Sequence, residues 1–149
     1  MFRGQFLHSI DSKGRVSLPS RFRDAVVADE RSILVVTPAP VELCLHAYPL
    51  REWELLENKI SEYSNWDPKA VRFRRMYVSA AIECEVDKHG RFVVPQNLRE
   101  RIGLEKEVQL AGMGKIFELW SKPRWDEATA MSDEQRKAFM KDAMETIRI

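Results

Sequence analysis

Apolar and polar residues alternate in short stretches along much of this chain, a pattern that predicts half-buried β-strands. Val16 and Leu18, for example, face one side of a predicted strand, whereas Arg15 faces the other. Stretches with an apolar residue at every third or fourth position predict amphipathic helices between the strands. The predicted strands cover residues 5–10, 15–18, 32–37, 42–47, 82–86, 91–94, 107–111 and 115–120, and the predicted helices cover residues 19–27, 50–79 with a break at 65–68, 95–102, a segment from 123, and 133–147.

One pattern of polar and apolar residues occurs twice, 76 positions apart. It reads Asp-Ser-Lys-Gly-Arg-Val-Ser-Leu-Pro over 11–19 and Asp-Lys-His-Gly-Arg-Phe-Val-Val-Pro over 87–95. The repeat predicts two copies of one unit, arranged as an internal pseudo-dimer. Because each copy spans roughly 50 residues, near the lower size limit for independent folding, we expect both to share one core.

An aromatic pair follows each copy at a predicted strand–helix junction. We expect these rings to pack in the core or at a subunit interface rather than to stack on bases. The two pairs are Tyr48 with Trp53, and Trp120 with Trp125.

The composition is that of a globular protein, with 44% hydrophobic residues, 32% charged residues and a net charge of +1. The chain has no apolar run near the ~20 residues of a membrane span. Its first residues lack the apolar stretch of a signal peptide. We therefore expect a cytoplasmic location, in which Cys44 and Cys84 stay reduced as buried thiols on predicted strands.

The repeated Asp-x-x-Gly-Arg turn is the first candidate functional element. Aspartate can accept a backbone hydrogen bond two residues on, and glycine tolerates the positive φ of a tight turn. Arg15 then lies on the strand face opposite the core, where a guanidinium can contact a phosphate or bind both acceptors of guanine. The alternative is an ion pair between Asp11 and Arg15 that fixes the turn, and both interpretations can hold together.

Two further groups of basic residues are less specific. Arg21 and Arg23 are two positions apart on a short predicted helix, so they point to different sides. One can follow a phosphate while the other lies at the surface. A second run lies on the helix between the repeats, where we favour a solvent face or a subunit contact. That run is Lys69, Arg72, Arg74 and Arg75.

Enzyme and metal chemistry find little support in the sequence. Cys44 and His46, with Cys84 and His89, could in principle form a zinc site, but their spacing matches no usual zinc motif. The segment 112–115 lacks the other residues of a phosphate-binding loop and lies between two predicted strands. The chain has no motif for a catalytic serine or for a metalloprotease. We expect no catalytic residues, no metal and no cofactor.

The order of strand, Asp-x-x-Gly-Arg turn, strand ending in proline, short helix and two further strands resembles the AbrB/SpoVT swapped-hairpin DNA-binding domain. Two tandem copies, with helices between and after them, resemble the MraZ family of bacterial transcription regulators. The resemblance covers about residues 1–147. It is carried by Phe2-Arg3-Gly4, Asp11-Ser12-Lys13-Gly14-Arg15, Leu18-Pro19, Cys44-Leu45 leading into Tyr48-Pro49 and Trp53, and Asp87-Lys88-His89-Gly90-Arg91.

The resemblance implies an α+β fold with a mainly β-barrel core. Two tandem AbrB-like swapped-hairpin repeats would be related by a pseudo-two-fold axis, with additional helices. The implied division is repeat 1 at 5–52, inter-repeat helices at 53–80, repeat 2 at 81–124 and a C-terminal helical segment at 125–149.

The resemblance also implies function. It indicates a nucleoid-associated repressor of its own division and cell-wall gene cluster, with no enzymatic activity. Such a protein would bind direct repeats in double-stranded promoter DNA as a closed homo-oligomeric ring. The first turn is the implied DNA contact, and in the second copy His89 replaces Lys13. The candidate DNA-binding residues are Arg3, Asp11, Lys13, Gly14, Arg15, Arg21 and Arg23, with the second-copy residues Asp87, His89, Gly90 and Arg91.

Two other functions stay open at this point. The chain could be a protein-interaction module such as an antitoxin, which would favour a long C-terminal extension. The tail after Trp125 is instead short and amphipathic. The chain could also be a small-molecule enzyme on a related barrel, which would need converging titratable groups that the sequence does not display.

Overall fold

The structure is a computed structural model that describes residues 1–28 and 30–149. Within these residues the chain forms eight strands and six helices, and a π-helical turn at Arg74–Val78 continues the third helix. The strands are β1 (Gln5–Ser9), β2 (Arg15–Ser17), β3 (Ile33–Pro38), β4 (Leu45–Pro49), β5 (Ile82–Glu85), β6 (Arg91–Val93), β7 (Glu107–Gly112) and β8 (Phe117–Ser121). The helices are α1 (Ser20–Val27), α2 (Leu50–Ser61), α3 (Pro68–Phe73), α4 (Gln96–Ile102), α5 (Lys122–Thr129) and α6 (Asp133–Ile147).

Six strands form one antiparallel sheet in the order β1-β7-β8-β4-β3-β5, and β2 pairs with β6 in a separate two-stranded ribbon. The order is a palindrome, because β1 corresponds to β5, β3 to β7 and β4 to β8 in the two repeats. A pseudo-two-fold axis therefore passes between β4 and β8, where His46 lies opposite Glu118. It also passes between β2 and β6, where Val16 lies opposite Phe92. The internal pseudo-dimer predicted from the repeat is confirmed.

Each repeat pairs its first strand with the other repeat. β1 lies against β7 from Gln5 to Ser9, and β5 lies against β3. Within the first repeat, β1 and β2 are connected by an isolated bridge between Ile10 and Val16. The strand exchange that the swapped-hairpin resemblance implies is therefore present.

The sheet does not close into the expected β-barrel. β1 and β5 are its edge strands, and the ribbon strands β2 and β6 have three residues each. β2 and β6 pair mainly with each other. They are too short to connect β1 to β5 by continuous strand pairing, which a closed barrel requires. The architecture is α+β, with an open sheet and a ribbon that share one core.

The core contains side chains from both repeats. Val16 and Phe92 from the ribbon belong to one buried cluster with Phe22 from α1 and with residues of the sheet. The ring of Phe22 lies 5.0 Å from the rings of Phe2 and Phe117. These edge-on and tilted contacts are the arrangements that aromatic rings prefer. The buried ribbon face leaves its other face for solvent.

Both aromatic pairs pack within the chain, as predicted. The ring centroids of Tyr48 and Trp53 are 5.0 Å apart, and those of Trp120 and Trp125 are 5.7 Å apart. Trp53 and Trp120 are buried. The pairs therefore fix the strand–helix junctions, and the two buried indoles are not accessible to bases.

The helix ends follow the predicted capping signals. Asp67 caps α3 by accepting the backbone N–H of Lys69, and Ser132 and Gln135 form the capping box of α6. α6 has no buried residue, so its apolar face is not used against the described part of the chain. None of the helices within residues 1–28 and 30–149 has the length and apolar character that a membrane span needs.

Two strands begin later than the alternation predicts. β4 begins at Leu45 because the turn before it is closed by a hydrogen bond from Ala39 N to the Cys44 carbonyl. β8 begins after a turn in which Met113 N donates to the Ile116 carbonyl. In both hairpins, residues with strand-like alternation belong to the turn.

Candidate nucleic-acid interface

The first loop, residues 11–14, is held in shape by its own aspartate. Asp11 Oδ1 accepts the backbone N–H groups of Lys13 and Arg15, both at 2.9 Å. Asp11 Oδ2 accepts Arg15 Nε at 2.6 Å. Gly14 N donates to the Asp11 carbonyl at 2.9 Å and closes the turn. One carboxylate thus fixes both the loop backbone and the arginine that follows it.

The second loop, residues 87–90, has the same construction. Asp87 Oδ1 accepts the backbone N–H groups of His89 and Arg91 at 2.8 and 3.0 Å. Asp87 Oδ2 lies 3.3 Å from Arg91 Nε, a longer contact than its counterpart in the first loop. Gly90 N donates to the Asp87 carbonyl at 3.0 Å. The repeated sequence therefore folds into two similar loops.

Both loop carboxylates are stabilised in their ionised form. The backbone N–H of Arg15, followed by its side chain, lowers the pKa of Asp11 below its usual value. The backbone N–H of Arg91 is the main cause that lowers the pKa of Asp87. Hydrogen bonds to a charged carboxylate favour that charged form. Each loop therefore keeps an anion beside its arginine at neutral pH.

The ion pair within the first loop does not occupy the whole guanidinium. Arg15 is bound through Nε, and its side chain is 35% exposed. Its two terminal nitrogens have no hydrogen-bond partner among the described residues. The structure thus shows the Asp11–Arg15 ion pair of the second interpretation, and it leaves the outer edge of the guanidinium open, as the first interpretation requires.

The two loop arginines lie on the outward face of the ribbon. Alternation along β2 and β6 buries Val16 and Phe92, so Arg15 and Arg91 are on the opposite face. Arg15 pairs with Val93, and Arg91 pairs with Ser17. The arginines are therefore diagonal neighbours, which in such a ladder are roughly 7–8 Å apart and somewhat closer at their Cβ atoms. Lys13 and His89 are exposed in the loops that precede them.

Each loop is supported from below by an arginine of the other repeat. A Cβ atom added at Gly14 would lie 2.8 Å from Arg99 Cζ, and one added at Gly90 would lie 2.8 Å from Arg23 Cδ. Arg23 Nη2 also lies 3.5 Å from the Lys88 carbonyl. Both glycines have positive φ, at +81° and +76°. Glycine is therefore needed in each loop for the turn and for the approach of the arginine.

The candidate residues do not form one continuous cluster. Arg3 precedes β1 and lies at the end of that strand opposite the first loop, beside the bridge from Phe2 to Gly114. Arg21 is exposed on α1, whereas Arg23 is half-buried beneath the second loop. The structure thus brings Asp11, Lys13 and Arg15 together in the first loop, puts Arg23 beneath the second loop and puts Arg3 at the far end of β1.

Sequence reasoning missed two basic residues of the site. Arg99 lies under the first loop, and its Nε is buried without a hydrogen-bond partner among the described residues. Lys88 is exposed in the second loop, next to His89. The repeat contained the signal for Arg99, because it stands at the position of Arg23 in the second copy.

The basic run between the repeats includes a structural residue. Arg74 donates to Asn65 Oδ1 at 2.8 Å and to the carbonyls of Ile60 and Tyr63 at 3.0 Å. It thus binds carbonyl groups at the C-terminal end of α2, a common position for a cation. Arg72 and Arg75 are exposed.

Comparison with known proteins gives a family match over nearly the whole chain. The model described as "MraZ protein, putative antitoxin-like" matches twice, over residues 1–76 and 77–147. A protein named "Transcriptional regulator MraZ" from Marinomonas sp. (strain MWYL1) is 40% identical over 149 residues, 99% of this chain and 94% of that protein. Proteins of the same name from Syntrophobacter fumaroxidans (strain DSM 10017 / MPOB) and Klebsiella pneumoniae (strain 342) are 43% and 42% identical over 125 residues, 84% of this chain and 82% of each protein.

Proposed function

This chain belongs to the MraZ family, and we propose that it is a sequence-specific DNA-binding regulator of transcription rather than an enzyme. The observation that carries this proposal is the outward face of the ribbon, where Arg15 and Arg91 are oriented by ionised aspartates. Its relatives carry the name "Transcriptional regulator MraZ", which supports the same function.

The dimensions of the ribbon suit the major groove of DNA. That groove is about 12 Å wide and admits a two-stranded β-ribbon, and paired strands lie only about 4.8 Å apart. Arg15 can direct its free terminal nitrogens at O6 and N7 of guanine, while Lys13 contacts a phosphate. We propose the first loop as the main DNA contact, with the second loop beside it.

We further propose that the protein works as a closed homo-oligomeric ring. One subunit with a net charge of +1 and a few loop cations would make few phosphate contacts and bind weakly at cellular salt. Linked subunits on one DNA raise the overall affinity by orders of magnitude. The apolar face of α6, which is exposed at Phe139, Met144 and Ile147, supports association with further copies.

The proposed target is a set of short direct repeats in the promoter of its own division and cell-wall gene cluster, at which the protein represses transcription in the cytoplasmic nucleoid. Successive loops would contact the same side of the duplex if the repeats are about one helical turn apart. This part of the proposal is based on the family resemblance. Footprinting of the purified protein on the DNA upstream of its own gene tests it directly. We expect protection at regularly spaced repeats, and uniform protection or none would contradict it.

A substitution pair separates loop geometry from general stability. Gly14→Ala puts a side chain at positive φ and displaces Arg99. Gly103→Ala also puts a side chain at positive φ, +65°, but its Cβ atom would meet no atom closer than 3.7 Å. We expect both substitutions to destabilise the fold by about 1–2 kcal/mol, measured by urea unfolding. We expect Gly14→Ala alone to weaken DNA binding in a gel-shift titration. Equal DNA affinity of the two variants would contradict a functional role for the loop shape.

A protein-binding function is the second candidate, and two observations favour it. The family description includes the term antitoxin-like, and α6 exposes apolar side chains without a partner in the described chain. Deletion of residues 133–149 distinguishes the two. If α6 serves self-association, the deletion reduces oligomer size in size-exclusion chromatography and weakens DNA binding. If α6 serves another protein, both properties remain unchanged.

A further inference from the structure

Three potential metal ligands meet where the two repeats join at the pseudo-two-fold axis. Cys44 directly precedes β4 and His46 lies in β4, both in the first repeat, and Glu118 lies in β8 of the second repeat. Cys44 Sγ lies 3.7 Å from Glu118 Oε2, and His46 Nε2 lies 3.5 Å from the same oxygen. All three ligand atoms lie within 4.8 Å of one another.

We propose that Cys44 Sγ, His46 Nε2 and Glu118 Oε2 bind a Zn²⁺ ion. Zinc takes sulfur, nitrogen and oxygen ligands at about 2.0–2.3 Å in a tetrahedron. In such a tetrahedron the sulfur–oxygen edge is about 3.6 Å and the nitrogen–oxygen edge about 3.4 Å. The sulfur–oxygen and nitrogen–oxygen distances of 3.7 and 3.5 Å are close to these edges, and the remaining sulfur–nitrogen pair lies within 4.8 Å.

The same three groups are poorly arranged to satisfy one another. A good N–H···O hydrogen bond is about 2.9 Å long, and the contact from His46 to Glu118 is 3.5 Å. Cys44 is 1% exposed and has a carboxylate as its neighbour. A thiol is a weak donor, so it compensates a nearly buried carboxylate only in part. A cation at the centre would satisfy all three ligands at once.

The surrounding residues would orient the ligands. His46 Nδ1 is 2.8 Å from the hydroxyl of Tyr77, which is 2.5 Å from that of Tyr48. A histidine that binds a metal through one nitrogen normally donates a hydrogen bond with the other. Trp120 Nε1 donates to Glu118 Oε1 at 3.1 Å and leaves Oε2 for the metal. Two of the three ligands therefore have an outer partner.

The proposed ligands differ from the four residues that the sequence analysis considered for a zinc site. Cys84 lies on β5 opposite Leu34, with its thiol 3.7 Å from the Ile82 carbonyl, and His89 lies in the second loop. The sequence pairing of Cys44 with His46 is retained, and Glu118 takes the third place. Because Glu118 occupies the position of His46 in the second repeat, a symmetric pair of strand positions carries two different ligands.

Binding at this site would connect the two repeats. The thiol proton leaves to solvent, and the thiolate and carboxylate balance the two charges of Zn²⁺. Soft thiolate with imidazole favours zinc over magnesium or calcium, which prefer oxygen ligands. Three protein ligands leave a fourth position for water. The ion would thus strengthen the β4–β8 junction without any contact to the loops.

Cobalt binding to the full chain tests the proposal without DNA. The protein is stripped with a chelator and titrated with Co²⁺, whose absorption reports both geometry and thiolate ligation. We expect a thiolate-to-cobalt band and tetrahedral visible bands that saturate at one equivalent per chain and disappear when Zn²⁺ is added. A lack of stoichiometric binding would overturn the proposal.

Two cysteine variants make the assignment specific. Cys84→Ser changes the other buried thiol and is expected to retain the thiolate band, whereas Cys44→Ser loses it. A band that survives Cys44→Ser, or that disappears in Cys84→Ser, would contradict the site.

Tyr77→Phe keeps every ligand and is expected to weaken Co²⁺ binding by roughly 10- to 100-fold. This variant is decisive if Cys44→Ser fails to fold, because unchanged affinity would then exclude His46 as an oriented ligand.

Discussion

Replacing Arg15 with alanine is expected to reduce the affinity for operator DNA by roughly 5- to 150-fold for each contact that is lost, because a bidentate arginine–guanine contact is worth about 1–3 kcal/mol. The effect multiplies in a ring that contacts several repeats, so binding can disappear within the range of a gel-shift titration. The physical reason is that the terminal nitrogens of Arg15 have no partner in the described chain and are aimed by Asp11.

The same substitution is expected to leave the fold and the proposed oligomer unchanged. The Asp11–Arg15 ion pair is exposed, and pairs of this kind contribute little to stability. Asp11 also keeps its hydrogen bonds to the backbone of Lys13 and Arg15 after the side chain is removed. Circular dichroism and size-exclusion chromatography should therefore match the unsubstituted protein. Unchanged DNA binding by an intact oligomer would defeat the assignment of Arg15.

Two companion variants define what Arg15 does. Arg15→Lys keeps the charge but loses the planar fork, so it restores a phosphate contact and fails to restore guanine recognition. Arg91→Ala removes the matching side chain of the second loop, where the contact to Asp87 is longer. We expect a smaller loss of affinity for Arg91→Ala than for Arg15→Ala. Equal losses would mean that both loops contact DNA to the same extent.

The repeat in the sequence predicted the symmetry of the structure. Matching aspartate, glycine, arginine and proline residues placed two equal loops 76 positions apart, and the sheet order is a palindrome of the two halves. The loops and the helix cap were predicted correctly because their hydrogen bonds connect residues that are close together in the sequence. The hydrogen bonds of Asp11 reach at most four residues along the chain, and the capping box of α6 spans four residues.

Strand partners could not be predicted from the alternation, because alternation identifies which face of a strand is buried and not which strand lies beside it. The pairing of β1 with β7 connects residues more than 90 positions apart. The open sheet could not be predicted for a similar reason. Whether edges close depends on the length and tilt of all strands together, and the ribbon strands have three residues each.

The supporting residues of the site were missed for the same reason. Gly14 and Arg99 meet because the repeats exchange strands, and no local spacing records that contact. The sequence allows either Arg21 or Arg23 to follow a phosphate, and it does not record that the second loop lies over half-buried Arg23. Glu118 joined Cys44 and His46 through the pairing of β4 with β8. In each case the deciding neighbour comes from the other half of the chain.

A steep loss of DNA affinity with salt is the second large effect that we expect. A protein that contacts about 6–10 phosphates loses roughly 10³- to 10⁵-fold in affinity between 50 and 200 mM salt, because binding releases cations from the DNA and the entropy gained by that release falls as the salt concentration rises. One subunit of this near-neutral chain offers few such contacts, so a slope of this size requires several subunits on one DNA. Fluorescence anisotropy at a series of salt concentrations measures the slope of log affinity against log salt.

Substitution of Lys13 converts that slope into a count of engaged subunits. Lys13 is exposed in the first loop, and it donates its backbone N–H to Asp11, so Lys13→Ala removes one charge and leaves the loop hydrogen bonds in place. Each phosphate contact that is lost lowers the slope by about one unit. If several loops of a ring contact the DNA, Lys13→Ala removes one contact from each of them. The slope of log affinity against log salt should then change by several units. A change of about one unit would indicate that a single subunit contacts the DNA, and a flat response in the original protein would point to a protein partner instead of DNA.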